Sequence, residues 1–413
     1  MRRIITAILC AAAVCACNGS TVTEEEPVGF QDRFDIALTR SQQELVDAGN
    51  SFAFDFLRAI HPAEQEQEVF ISPFSLQAAF SMLANGAAGD TYSQMASAIG
   101  YGGAEVRDIN SAYGTLISAL HAVDNSTRFS VANALWLAER FPAKPDFVSA
   151  LQDFYGARVE NLDFSSPDAC RTINSWAEEK TFGMIPELLD HTDPAWAYVL
   201  TNALYFKGVW SHKFESEQTR KDDFIREDGS KVRLDFMHGD IRCRYAYSDR
   251  LSAAVCELPF GNGAFVLDAV LPDDGIDFDS FIQKVDSGVW NSVLERLIPG
   301  EVFVILPRID ISYSGKDCVR EALKSLGMKD AFEPNRADFS RVSDIPTYIS
   351  EVIHKARFKM DESGAEAAAV TAVIAAPASV GPGREFFADH PFLFAIREIS
   401  TGAILFLGTY RAK

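Results

Sequence analysis

The chain has 413 residues, 47% hydrophobic and 23% charged, so it can bury a large core and does not have the composition of a disordered chain. Its 31 phenylalanines supply much of that apolar area. The formal charge of −20 repels nucleic acid, and no stripe of Arg and Lys offsets it.

The first residues read as a targeting segment. Met1, Arg2 and Arg3 form a basic start, and an apolar stretch from Ile4 to Ala16 follows that is too short to span a bilayer. It ends in Val14-Cys15-Ala16-Cys17, which resembles a bacterial lipobox; an ordinary signal peptide is the other reading. The resemblance implies cleavage before Cys17 and acylation of that cysteine, with residues 1–16 as signal peptide. Removing them takes away Arg2 and Arg3 and no acid, moving the charge from −20 to −22. Residues 17–39 then form a lipidated tether, polar and acidic over 18–32. The triplet Glu24-Glu25-Glu26 resembles surface-export signals of some Gram-negative lipoproteins. The expected destination is the outer membrane or cell surface, attached through lipid.

Residues 40–360 contain no repeat, low-complexity block or long Pro/Gly linker, which argues for one domain over 40–413. The first elements are helices. Ser41 to Ile60 repeats apolar residues near helical spacing, at Leu45, Phe52, Phe56 and Ile60. Ser72-Pro73 is an N-cap followed by proline at the first helical position, and that helix stops near Asn85-Gly86. Tyr92 to Ile99, Val106 to Val123, Lys144 to Tyr155 and Pro167 to Phe182 read as further helices. Strands are interleaved and then dominate: Phe129 to Ala138, Ala197 to Phe206, a hairpin of Ala253 to Phe260 with Ala264 to Leu271 around Gly261-Asn262-Gly263, and Val302 to Ile311 as one central strand. Tyr348 to Met360 alternates, with Val352, His354, Ala356, Phe358 and Met360 on one face. Phe392 to Ile399 and Ala403 to Thr409 close the chain as a hairpin. The fold class is α+β.

No nucleophile elbow, zinc-protease helix, phosphate loop or complete dinucleotide fingerprint is present. The seven His residues are scattered, so no metal or cofactor is expected, and the chain does not read as an enzyme. Four cysteines lie in the body, at 170, 243, 256 and 318, with spacing that fits no zinc or redox motif. Cys243 and Cys256 sit in two strands read as neighbours and could pair, but a free buried Cys is common and is the favoured reading.

Residues 361–390 break the pattern. Ala365 to Ala376 is almost all Ala and Val with one charge, Glu366, and a Pro/Gly tract from Pro377 to Gly383 follows. As an extended strand, one face carries Ala365, Ala367, Ala369, Thr371, Val373 and Ala375, all small or β-branched and uncharged. The other carries Glu366, Ala368, Val370, Ala372 and Ile374. Such a segment can enter a sheet without burying a charge. An Ala-rich helix or a linker is the competing reading.

Five stretches together resemble the serpins, the serine protease inhibitor family, and in the right order over roughly residues 40–411. Glu362-Ser-Gly-Ala-Glu-Ala-Ala-Ala369 resembles the family's hinge (Glu362, Gly364, Ala365, Glu366, Ala367, Ala368, Ala369). Val69-Phe-Ile-Ser-Pro-Phe-Ser-Leu76 resembles a helix entry, and Thr201-Asn-Ala-Leu-Tyr-Phe-Lys-Gly-Val-Trp210 a central-strand signature. His390-Pro-Phe-Leu-Phe394 and Phe406-Leu-Gly-Thr409 resemble the last strands. The resemblance implies three β-sheets, eight or nine helices and an exposed reactive loop at about 362–385. A protease cleaves that loop as a suicide substrate and is trapped covalently as the loop enters the main sheet. Counting from the hinge puts the cleaved bond at Ala378-Ser379; this chain is longer than the family pattern between Ala378 and Pro391, and counting back from Pro391 favours Val380 instead. A small residue there implies an elastase-like or subtilisin-like serine protease as partner, with papain-like cysteine proteases as an extension. Ser72, Ser75, Asn202 and His354 match the family's polar cluster beneath the sheet opening, Trp210 the entry point of the loop, and Glu362 with Arg308 a charged pair at the hinge. A monomer is expected. A non-inhibitory serpin acting as a binding module is the alternative, and a hydrolase the third reading.

Overall fold

The computed structural model describes residues 30–315, 317–350, 352–365 and 384–413. Among them are nine α-helices: α1 Arg40–Ile60, α2 Pro73–Ala84, α3 Gly89–Ala98, α4 Val106–Ala122, α5 Pro145–Tyr155, α6 Pro167–Lys180, α7 Phe278–Lys284, α8 Ser287–Leu294 and α9 Asp317–Ser325. The expected α+β class and the first six helices are present, with boundaries within three residues. The three short helices after residue 270 escaped the sequence reading, because seven to nine residues give only two turns of periodicity.

A six-stranded sheet runs β10-β11-β12-β4-β2-β3, made of β2 Arg128–Ala138, β3 Arg158–Leu162, β4 Tyr198–Val209, β10 Ile309–Gly315, β11 His354–Asp361 and β12 Gly364–Ala365. A second network runs β1-β15-β14-β8-β7-β6-β9-β13, with β5 also on β6. Its members are β1 Phe70–Ile71, β5 Arg220–Ile225, β6 Lys231–Ser248, β7 Ala253–Phe260, β8 Phe265–Pro272, β9 Ile298–Pro307, β13 Arg384–Phe387, β14 Phe392–Glu398 and β15 Ile404–Tyr410. The 18-residue β6 joins two sheets into this network: it pairs with β5 and β9 along most of its length and with β7 from Arg244 to Ser248.

Two strand expectations need correction. Val302 to Ile311 is not one strand. The run divides at Arg308 into β9, which pairs with β6 and β13, and β10, which pairs with β11 in the other sheet. Continuous apolarity reports burial on both sides and does not reveal a change of sheet. Tyr348 to Met360 is strand only from His354. Its alternation holds there: His354, Ala356, Phe358 and Met360 are buried, while Arg357 and Lys359 are exposed.

The main core lies between the sheets and α1, α2, α4 and α5. A smaller cluster, with Trp136, Ile173, Trp176, Trp196, Val199 and Ala203, packs α6 and the segment after it onto the outer face of β2 and β4. The C-terminal strands also bury a charge network. Arg397 donates from Nε to Asp268 Oδ2 at 2.8 Å and from Nη2 to Glu257 Oε2 at 2.6 Å, and Arg244 Nη1 lies 3.0 Å from Glu257 Oε1. Burial and then the neighbouring Asp268 push the Glu257 carboxyl above its ordinary range, so the arginines are what make the site tolerable for two acids. Arg397→Met should therefore lower stability by about 3–5 kcal/mol, read as a drop in the denaturant midpoint. A variant as stable as the parent would show that the carboxylates do not depend on Arg397.

Candidate functional site

β4 and β11 run parallel, and among the described residues no ladder joins them directly; β12 stands between them at one end. After β11 the chain turns at Glu362-Ser363 and comes back antiparallel to both neighbours. Gly364 pairs with Asp361 and Val209, and Ala365 with Met360 and Gly208. Ala365 is 1% exposed. The first small residue of the Ala-rich segment thus already lies within the sheet.

Gly364 makes this wedge possible. Its φ is +140°, and a Cβ there would lie 2.1 Å from the Gly208 carbonyl oxygen and 2.7 Å from Val209 Cα. Both contacts are to backbone, so no side-chain adjustment relieves them.

The sequence-predicted hinge and entry residues meet around this turn. Trp210 is buried, stacks on Phe260 at a centroid distance of 4.4 Å, and donates from Nε1 to the Asp361 carbonyl at 2.9 Å. Its backbone N–H donates to the Ser363 carbonyl at 3.0 Å. Arg308 grips Glu362 in a fork, from Nε to Oε1 at 2.9 Å and from Nη2 to the same oxygen at 2.6 Å. The pair is asymmetric: the Glu362 side chain is 8% exposed and that of Arg308 45%. Burial opposes the Glu362 charge, but hydrogen bonds from Arg308 and from Thr219 Oγ1 outweigh it and hold the carboxyl below its ordinary value. Thr219 was missed by sequence reasoning; a lone threonine in a polar loop carries no signal.

At the other end of the seam the four expected polar residues form one chain of hydrogen bonds. Ser72 caps α2, its Oγ accepting from Ser75 N at 3.1 Å and donating to the Leu405 carbonyl at 2.8 Å. Its N–H donates to His354 Nε2 at 3.2 Å. Ser75 Oγ donates to Asn202 Oδ1, and Asn202 Nδ2 donates to Asn133 Oδ1 at 2.5 Å. From Asn133 the chain continues through the Tyr155 carbonyl at 2.9 Å, and the Tyr155 hydroxyl donates to Asn110 Oδ1 at 2.7 Å. Asn133 and Asn110 were not anticipated, although an asparagine inside the apolar run of β2 is the kind of buried polar group that requires a partner. Beside this network, Ser75, Leu76, Leu83, Tyr198, Leu200 and Val352 help line a cavity of about 80 Å³ between α2 and the lower seam.

His354 accepts at Nε2 and is fully enclosed, so burial lowers its pKa to about 4. Among the described residues no cluster of His, Cys, Asp and Glu is arranged to hold a metal. Glu366, Ala367, Ala368, Ala369, Ala378, Ser379, Val380 and Cys17 lie outside the described residues.

A profile of the family described as serpin (serine protease inhibitor) matches residues 47–412. The leukocyte elastase inhibitor of Sus scrofa is 34% identical over 377 residues, which is 89% of this chain and 98% of that protein. Among solved structures, the thermophilic serpin tengpin in its native state superposes with a TM-score of 0.83 at 28% identity, covering 94% of this chain and 98% of the other. Tengpin in its latent state gives 0.77 at 26% identity, covering 92% and 99%.

Two measurements probe this geometry. Gly364→Ala should expel β12 and speed amide exchange at Gly208–Val209 by on the order of tenfold; unchanged exchange would mean that Gly364 does not hold the wedge. His354 has a folded pKa depressed from 6.5 to about 4. Its neutral form is compatible with the fold above pH 6.5, and stability falls as pH drops from 6.5 towards 4, by about 3 kcal/mol in all. His354→Asn should flatten that part of the pH–stability profile, and an unchanged slope would assign it to other groups.

Proposed function

The chain belongs to the serpin family, and from that premise we propose that it inhibits serine proteases of small-residue specificity by suicide-substrate trapping. The target is elastase-like or subtilisin-like, with papain-like cysteine proteases as an extension. The protease serine attacks the Ala378 carbonyl, the Ser379 amine leaves with the proton, and an ester holds enzyme and inhibitor together. The freed segment then adds to β12 and separates β4 from β11. The fourteen residues from Ala365 to Ala378 would span about 43 Å when extended. Val380-Gly381 is the alternative bond.

The single observation that carries this reading is the register of β12. Continued one residue at a time, it would bring Glu366 level with Lys359 on β11 and Lys207 on β4. Lys359 is exposed and Lys207 half-buried, both on the outer face, so the segment's one charge would enter between two cations. Ala367 would face Phe358 and Phe206, and Ala369 would face Ala356 and Leu204. Thr371 would arrive level with His354 and Asn202, the two members of the polar network that flank the seam. Each backbone hydrogen bond gained on both sides contributes about 0.5–1.5 kcal/mol, enough in sum to drive insertion.

The name of the pig relative supports an elastase-type target, and the higher agreement with native than with latent tengpin supports a form poised before insertion. We also propose that residues 1–16 are removed and that acylated Cys17 and the tether to residue 39 attach the domain, residues 40–413, to the outer membrane or cell surface. A non-inhibitory serpin acting as a binding module is the second reading.

Mixing the protein with pancreatic elastase should give a band on a denaturing gel heavier than either partner. Clean cleavage with no complex would favour the binding module, and turnover of a substrate without a trapped adduct would mean a hydrolase. Ala365→Arg, which puts a charge at a buried position, should abolish the adduct and leave cleavage intact. The nicked parent should also resist heat better than the intact protein; equal heat resistance would remove the driving force and the mechanism with it.

A further inference from the structure

We propose that Cys243 and Cys256 form an intrachain disulfide when the chain folds in the presence of a disulfide oxidant, locking the junction at which β6 passes from one half of the nine-stranded network to the other. The two sulfurs lie 3.4 Å apart, and both side chains are buried. They sit on adjacent antiparallel strands on one face: Cys256 is paired with Tyr245, two residues along β6 from Cys243. Closing the bond to about 2.05 Å asks the sulfurs to approach by roughly 1.4 Å. The remaining body cysteines belong to other neighbourhoods. Cys170 on α6 contacts the Leu189 carbonyl, and Cys318 lies on α9.

The location gives the bond a purpose. Along β6 the pairing with β9 ends at Tyr245 and the pairing with β7 begins at Arg244, so only Arg244 and Tyr245 are paired to β9 and β7 at once. Cys243 stands opposite Gly300 of β9, and Cys256 opposite Ala269 of β8. A covalent link would therefore reinforce the narrowest hydrogen-bonded connection between the β5-β9-β13 part and the β7-β8-β14-β15 part. The chain resumes from the reactive segment at β13, beside this spot: Arg384 approaches Gly300 and lies 6.0 Å from the Tyr245 ring.

The chemistry balances as a two-electron exchange. Two thiols give up two protons and two electrons, one sulfur–sulfur bond forms, and the oxidant's disulfide is reduced to two thiols. The attacking species is a thiolate, and in the closed fold burial and the neighbouring Cys243 push the Cys256 thiol far above its ordinary pKa. The bond should therefore form during folding, before β6 and β7 close, and should be slow to reduce afterwards. The export expected from residues 1–17 would deliver the chain to a compartment where such oxidants operate.

The test is to refold the wild-type chain with a mixture of oxidised and reduced glutathione, or with dithiothreitol alone. Free thiols are then blocked with N-ethylmaleimide in denaturant, and unreduced peptides are mapped by mass. The expected result of oxidative folding is a linked pair of peptides carrying Cys243 and Cys256, with Cys170 and Cys318 blocked. The oxidised protein should unfold roughly 3–5 °C higher than the reduced one. Cys256→Ala should remove that difference. Dithiothreitol should open the bond on the order of tenfold more slowly in the folded protein than in denaturant. Blocked Cys243 and Cys256 after oxidative folding, or linkage of either to another thiol, would overturn the proposal, and the wild-type map decides this even if the variant fails to fold.

Discussion

The structure depends on one seam. β4 and β11 lie side by side in direction but are bridged at one end by two residues of β12, and among the described residues no ladder joins them further down. Unpaired strand edges invite another strand, and most proteins cover or blunt them. Here the edges face each other across a sheet, and β12 occupies one end of the gap between them. Gly364 makes that entry possible, because no Cβ can stand against the Gly208 and Val209 backbone.

Both ends of the seam are held by polar contacts of different kinds. At the β12 end, the buried Glu362 is gripped by Arg308 and by backbone and side-chain donors from the segment after β4. This anchors the turn without filling the seam below it. At the far end, a run of neutral hydrogen bonds ties α2 to β15, β11 and β4 through Ser72, Ser75, His354 and Asn202. Neutral partners would leave no buried charge orphaned if the strands parted as the proposed insertion requires. The adjoining cavity of about 80 Å³ leaves space where a packed core would resist movement.

The other network is built in the opposite sense. Arg397, Glu257 and Asp268 are charges buried at a fixed spacing, with Arg244 completing the set. Moving any one of them leaves an uncompensated ion, so these strands form a rigid support. One sheet is thus braced by buried charge while the other is left with a seam, and the long β10-β11 ladder carries the chain up to the turn that starts β12.

Much of this was legible in the residues alone. The first six helices followed from periodicity and from Ser72-Pro73, and the small Ala365 that opens the Ala-rich segment lies buried in the sheet as its size allows. These are local properties, set by spacing and side-chain size within a few residues. The division of Val302 to Ile311 between two sheets, the late start of β11 and the eighteen-residue β6 were not legible, because pairing partners are chosen by contacts distant in sequence. The resemblance to the family's motifs named the polar residues, but only the tertiary structure connected them into a network that also recruits Asn133 and Asn110. Likewise the sequence by itself determined that Glu366 is the segment's one charge. That Lys359 and Lys207 would flank it on the proposed insertion follows from register, which depends on β12 pairing both with its sequence neighbour β11 and with β4 more than a hundred residues away, and on nothing in their local composition.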